Sequence, residues 1–306
     1  ANATPAQIAG FIGAFPAQLQ PSVANLVPFH FGLRNNIFGS QFVSRTGYNE
    51  NTLVDYETYN VKLSGGLHYK ITDDIEASLL ANWGTGTTVY TGADRYAIKN
   101  LKMGQYKLEF KAKNWFLRAY TIQENSGDAY TATTAAVAVN SAWKANTQWF
   151  AEYVGNYSGA RLQGAPDAQA HTLARAAADN GRFLPGTSQF NDAFNTAINT
   201  SIKDGGAKFE DATDMWHFEG QLNLTDYVKF AEVLVGANYR RFILNSNGTI
   251  FADTAGTIGI TEVGGYLQIQ KWVLPDLLKL TVSGRYDKNE NFDGRFTPRA
   301  TALIKV

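Results

Sequence analysis

The sequence has no cysteine in 306 residues, which excludes thiolate metal sites, thiol nucleophiles and disulfide frameworks together. It has no charge-free apolar run of about eighteen residues, so no segment reads as a membrane-spanning helix. Net charge is missing too. With 27 basic and 27 acidic residues, no global field points to nucleic acid or to an acidic polymer. From Ala1 to Leu33 there is no charged side chain, and prolines at 5, 16, 21 and 28 interrupt the stretch. That is not a secretory signal, and the expectation is a chain that begins inside a larger product or after processing.

Catalytic constellations are also missing. His30, His68, His171 and His217 are scattered without metal-ligand spacing, and Gly84-Thr85-Gly86 lacks the strand-to-helix context of a phosphate loop. No nucleophile with a paired base stands out, so the expectation is no enzyme and no cofactor.

What is present is aromatic side chains and alternation. Tyrosine (15), phenylalanine (19) and tryptophan (6) are abundant, yet the mean hydropathy is -0.24. Tyr59 to Ile71 reads YNVKLSGGLHYKI, with apolar Tyr59, Val61, Leu63, Leu67, Tyr69 and Ile71 against polar Asn60, Lys62, Ser64, His68 and Lys70. A strand has period two, so this is one long strand with two unlike faces. IEASLLANW from Ile75, QYKLEFKAK from Gln105, WFLRAYTI from Trp115, MWHFEGQLNL from Met215, FAEVLVGANYR from Phe230, EVGGYLQIQKW and LLKLTVSGRYD repeat the design, and a last strand covers Phe296 to Val306.

The connections alternate in length. Tight turns are expected at Thr72-Asp73-Asp74, Asn114, Thr225-Asp226 and Pro275-Asp276, with longer excursions to Asn100, over 125–212 and over Asn245 to Thr257. That asymmetry suits an outer-membrane barrel with short periplasmic turns and long external loops. The fold class is therefore all-β: an antiparallel transmembrane β-barrel segment of about nine strands, with short helices in extracellular loops. An odd count with a descending strand at each end, and the ending Leu303-Ile304-Lys305-Val306, lead to the expectation of a piece of a larger barrel. The segments are 1–57, a loop region with a short helix; 58–124, strands; 125–212, a large external loop; and 213–306, strands.

Faces follow from parity. Val61, Leu63, Leu67, Leu79, Leu108, Phe218, Val233, Leu280 and Val282 are expected to face outer-membrane lipid. Lys62, His68, Glu76, Lys107, Glu219, Gln221, Lys279 and Arg285 are expected to face the lumen. Tyr59 and Trp83 are expected together at the outer aromatic girdle, with Tyr69 at the periplasmic one.

Helical spacing appears in the excursions. Thr4-Pro5-Ala6-Gln7 before Ile8, Phe11, Ile12 and Phe15 predicts a capped helix, and Asp167 to Asn180 and Ser188 to Ile202 predict two more. These pack on the loop's own core or dock a partner. Trp143, Trp149 and Tyr153, near Phe150 and Tyr157, are candidates for ligand or partner contact, with a loop core as the plainer role. Asp287, Asn289, Asn291 and Asp293 partly imitate a calcium loop, although Phe292 replaces its glycine and Pro298 its final glutamate.

DKNENFDGRFTP at Asp287 to Pro298, with Arg299-Ala300, resembles a segment of TonB-dependent outer-membrane receptors of the Bacteroidota type. Thr58 to Asn60, LHYKITD at Leu67, VYTGADRY at Val89, KMGQYKLEFK at Lys102, FLRAYTIQENSGD at Phe116 and LNSNGTIFAD at Leu244 are similar to that group too. The resemblance implies a 22-stranded barrel around an N-terminal plug, with TonB supplying energy for import of a siderophore, glycan, peptide or cofactor. It also implies a plug domain and C-terminal strands beyond this chain, TonB contact through that N-terminal part, and a surface lipoprotein or larger membrane assembly as partner. A passive porin-like or structural barrel component is the other reading, and a soluble carbohydrate-binding sandwich a third.

Overall fold

The computed structural model describes residues 4–34 and 42–305. Residues 1–3 and 35–41 of the expected 1–57 region, and Val306 of the expected last strand, lie outside the described residues. The chain divides into two compact units. One comprises Asp55–Thr131, Ser201–Asp204 and Lys208–Val306; the other comprises Ala1–Val54, Ala132–Thr200 and Gly205–Ala207. The expected 1–57 and 125–212 segments thus contribute most of their length to a single unit.

The first unit is a sheet. Its strands are β1 (Asn60–Lys70), β2 (Glu76–Thr91), β3 (Arg95–Lys111), β4 (Trp115–Asn125), β5 (Tyr130–Thr131), β6 (Asp214–Asn223), β7 (Glu232–Leu244), β8 (Ile258–Leu274), β9 (Leu278–Asn289) and β10 (Arg295–Ile304). The order is β1-β2-β3-β4-β6-β7-β8-β9-β10, antiparallel throughout, with the short β5 on β3. That is the all-β antiparallel fold expected, with nine strands along its main path.

Paired residues share a face, so the register tests the parity assignment directly. Leu67, Leu79, Leu108, Ala119, Phe218, Tyr239 and Val263 form one cross-strand row. Shifted by one residue, His68, Ser78, Glu109, Arg118, Glu219, Asn238, Gly264, Asp287 and Arg295 form another. One face is apolar and the other polar along these central rows, until Lys288 follows Val263 on β9; farther from the tight turns the faces mix, with Arg241 and Thr261 beside Trp216 on one and Met215, Phe242 and Ile260 on the other. The apolar face is also uncovered: Leu63, Leu67, Leu117, Phe218, Val282 and Phe296 are all exposed. Val233 lies on it by register but is itself buried.

Three tight turns and one eight-residue connection, 224–231, close one end; that connection is longer than the tight turn expected at Thr225-Asp226 because β7 begins only at Glu232. At the first, Thr72 Oγ1 accepts from the amides of Asp74 and Ile75, and the Ile71 amide donates to the Ile75 carbonyl. At the last, Asp276 has φ 56 and the Leu277 amide donates to the Leu274 carbonyl. Asn114 Nδ2 donates to Asp226 at 2.6 Å, and Lys113 lies 3.2 Å from the same oxygen, which ties two neighbouring turns.

The other end departs from expectation. The excursion from Trp83 to Asn100 is a continued hairpin, because the β-branched and aromatic run Thr87 to Tyr90 extends β2 and Tyr90 packs against Tyr96. Only Gly92 to Asp94 remain outside it. Register then corrects the outer girdle: Trp83 pairs with Leu63, while Tyr59 lies beside Thr87, so the two do not sit together.

The second unit is helical: α1 (Pro5–Gly13), α2 (Gln20–Arg34), α3 (Ala132–Trp143), α4 (Asn146–Leu162), α5 (Asp167–Ala178) and α6 (Ser188–Asn199). The capping box at Thr4 is formed, with Gln7 Oε1 2.8 Å from the Thr4 amide and Thr4 Oγ1 3.3 Å from the Gln7 amide. α4 and α5 interlock four-residue ridges. Trp149, Tyr153 and Tyr157 fill the space left by Ala170, Ala174 and Ala178. Asn25 of α2 crosses α4 at Gly155, where a Cβ would stand 3.0 Å from the Asn25 Cα.

Candidate functional site

The polar face of the sheet gathers side chains that are far apart in sequence. Arg118 on β4 places Nε 3.0 Å from Glu109 of β3 and 3.0 Å from Glu219 of β6. Lys107 lies 3.5 Å from Glu109. On the far side, Glu219 is 3.5 Å from His217 Nε2, and Arg240 of β7 donates from Nε to His217 Nδ1 at 3.3 Å. That contact makes Nδ1 the acceptor and turns Nε2 toward the carboxylate. Arg240 then reaches Glu262 of β8 at 3.3 Å, and Glu262 accepts from Asn289 of β9 at 2.8 Å. A chain of ion pairs and hydrogen bonds thus runs from β3 to β9.

Aromatic rings fix parts of this chain of charges. His217, only 4 % exposed, packs on Tyr120 with ring centroids 4.7 Å apart. Tyr266 lies across Gly236 and donates to Gln221 Oε1 at 2.5 Å. The Arg285 guanidinium sits 6.0 Å from the Tyr266 ring, donates to Asn238 at 2.8 Å and grips both oxygens of Asp287 at 2.6 and 2.7 Å.

The lumen candidates therefore divide. Gln221 and Arg285 meet through Tyr266, and Glu219 is central to the charge network. His68 instead pairs locally with Glu76 at 2.9 Å, and Lys279 pairs with Glu232 at 3.4 Å near the tight turns. Lys62 lies on the same face opposite Gly84. Parity places His217 on the polar face as well, but it did not single out Arg118, Arg240 and Glu262, whose partners are defined only by register.

The loop candidates are mostly core. Trp149 and Tyr153 are 0 % and 2 % exposed, so both build the helical unit; the plainer role of loop core holds for them, and their candidacy for ligand or partner contact is corrected. Their polar tips are satisfied: Trp149 Nε1 donates to Asp179 at 2.9 Å, and Tyr153 Oη is 2.7 Å from His171 Nδ1. Burial pushes the Tyr153 hydroxyl above its ordinary value. Tyr153 also borders a pocket of about 510 Å³ with His171, Arg175 and Asp179. Trp143 is partly open, with Lys144 4.7 Å and Arg45 5.1 Å from its ring.

The calcium pattern does not form a cage. Asp287 and Asn289 lie within β9, Asp287 is held by Arg285, and Asn289 Oδ1 accepts from the Asn291 amide at 2.8 Å. Asp293 follows in the turn to β10. Among the described residues no group of three or more His, Cys, Asp or Glu side chains is placed to hold a metal ion.

No family model and no curated protein matches the chain. Among solved structures it is similar to the siderophore receptor PirA from Acinetobacter baumannii, at 11 % identity and TM-score 0.47, over 81 % of this chain and 32 % of that one. It is similar to PirA from Pseudomonas aeruginosa, at 12 % identity and TM-score 0.44, over 81 % and 31 %. Acinetobacter baumannii OccAB4 is also similar, at 11 % identity and TM-score 0.25, over 79 % and 53 %. The chain spans about a third of the length of the two receptors.

Proposed function

We propose that this chain forms part of the barrel wall of a TonB-dependent outer-membrane receptor that imports a scarce ligand. One observation carries the reading: the central rows of the nine-strand path put mostly exposed apolar groups on one face and hydrogen-bonded or ion-paired polar groups on the other. No water-soluble sandwich is stabilised by leaving such a face uncovered, whereas hydrocarbon covers it at no cost. The opposite face, with Arg118, Glu219, Arg240 and Arg285, suits a hydrated lumen or the surface of a plug. The sequence resemblance supplies the TonB-dependent class, and a siderophore, glycan, peptide or cofactor is the cargo.

Uptake of a panel of these ligand classes by cells producing the full-length protein, with and without functional TonB, tests the reading. Saturable uptake that stops without TonB supports it. Uptake that continues unchanged without TonB supports a passive porin-like barrel and overturns the importer.

A further inference from the structure

The apolar face is not uniform. In one cross-strand row, Leu117 of β4 is followed by Gly220, Ala237 and Gly265 on β6, β7 and β8, then by Tyr286 on β9. Three consecutive positions thus carry almost no side chain. The rows on either side are bulky: Phe218, Tyr239 and Val263 on one, Leu222, Val235 and Leu267 on the other. The result is a trench across three strands, bounded by Leu117 and Tyr286 four strand spacings apart, or roughly 19 Å.

Part of this trench is a cavity of about 550 Å³ lined by Leu108, Leu117, Phe218, Ala237 and Tyr239. Leu117 leans over its edge, so that a Cβ at Gly220 would meet Leu117 Cδ2 at 2.7 Å. At Gly265 a Cβ would meet only the Gly236 carbonyl oxygen, at 3.6 Å, so that end of the floor is open.

We propose that this trench seats one hydrocarbon chain of a membrane lipid. The inference rests on the membrane-wall reading and adds a discrete lipid site to it. A single alkyl chain needs an elongated apolar slot and no hydrogen-bond partner, and that is what the rows provide. A protein partner of comparable footprint would bring about one hydrogen bond per 100–200 Å², yet Tyr239 and Tyr286 supply the only side-chain polar atoms of the row from Leu117 to Tyr286 and its walls on β6 to β8, and Lys288 is the next one, beyond Val263 on β9. The trench is flanked by exposed Leu222, Val235 and Leu267 on one side and by exposed Phe218, Tyr239 and Val263 on the other, so its occupant must itself be compatible with a lipid-covered surface. Small floor residues let the chain lie close to the backbone, where it gains dispersion contacts that a flat wall does not offer.

The test uses membranes from cells producing the full-length protein, loaded with a phospholipid bearing a diazirine in its acyl chain. After irradiation, adducts are mapped by peptide mass spectrometry. The expected result is several-fold more label at Leu117, Phe218 and Tyr239 than at Leu67 and Val282, which are exposed on the same face. Ala237→Phe, whose side chain would stand up in the slot from an exposed position, should remove that excess and leave Leu67 and Val282 labelled. Even labelling across the face would overturn the lipid site while leaving the membrane wall intact. Label at Leu67 and Val282 but not in the trench would mean that another surface covers it, and would overturn the site as well. No label anywhere on the face would overturn both readings.

Discussion

Arg285 Nη2 donates to Asn238 Oδ1 at 2.8 Å directly over Gly264, in space that any side chain at that position would take. A Cβ at Gly264 would lie 2.5 Å from Asp287 Oδ1, 2.7 Å from Asn238 Oδ1 and 2.8 Å from Arg285 Nη2. All three atoms end side chains that can shift, so Gly264→Ala should be tolerated with a small loss. Gly264→Val should part Arg285 from Asn238. These groups are partly exposed, so the loss expected is about 0.5 to 1 kcal/mol. Denaturant unfolding of the folded barrel measures it, and an unchanged midpoint for the valine variant would show the contact to be incidental.

Arg118 neutralises two carboxylates at once, and its removal leaves Glu109 and Glu219 on a half-buried wall without that cation. Arg118→Ala should destabilise by about 1 to 2 kcal/mol, less than for a fully buried pair because water reaches the face. Adding Glu219→Gln should recover part of the loss. Additive losses in the double variant would argue against coupling.

Parity made the two faces legible because one residue of slip would invert every side chain, so the pattern in YNVKLSGGLHYKI admits only one register class. Cross-strand partners were not legible. Nothing near Arg118 in sequence announces Glu219; the pairing of β4 with β6 across the helical insertion does. Trp149, Tyr153 and Tyr157 read as an aromatic cluster, but their spacing of four is a helical signal, and α5's alanines at the same spacing mark the face they fill. α2 stayed hidden because its mixed small and apolar run, with Pro21 and Pro28, shows no polar face.

Lipid exposure can be measured by charge. Leu67→Lys and Leu108→Lys should each cost about 2 to 4 kcal/mol if the positions lie near the bilayer midplane, falling toward zero near an interface. Ser64→Lys on the opposite face of β1 should cost little. Folding equilibria in lipid vesicles read the difference, and equal costs for Ser64 and Leu67 would remove the distinction between faces.

The β7–β8 loop carries a pH-sensitive carboxylate outside the strands. The Ser246 amide donates to Asp253, the Gly248 amide does so at 2.6 Å and Ser246 Oγ at 2.8 Å. Those bonds, the Ser246 amide first, hold the Asp253 carboxyl below its ordinary value of 3.8. A depressed folded value means that the carboxylate supports the loop above pH 3.8, and that this support fades as pH falls through the lower folded value. Hydrogen exchange at Ser246 and Gly248 should therefore accelerate below pH 3.8, relative to strand amides. Asp253→Asn should exchange faster at neutral pH and lose most of that extra acid dependence; a wild-type profile parallel to the strand amides would refute the assignment.

The helical insertion can be removed where the sheet unit itself brings its ends together. Tyr130 bridges Lys208 in antiparallel fashion and Ser201 bridges Lys208 in parallel, so the chain enters and leaves the insertion beside a common residue. Residues 132–200 carry α3 to α6, whose core of Trp149, Tyr153 and Tyr157 against three alanines is internal to the helical unit. Replacing 132–200 with a short glycine-serine linker in the full-length protein should leave the strand register satisfied, and heat-modifiable electrophoretic mobility should report an assembled barrel. Ligand uptake should nevertheless fall, because a folded insertion of this size in a single connection is a functional element when ordered. Assembly with undiminished uptake would reduce the insertion to a surface shield, and failure of assembly would show that the strands do not fold without residues 132–200.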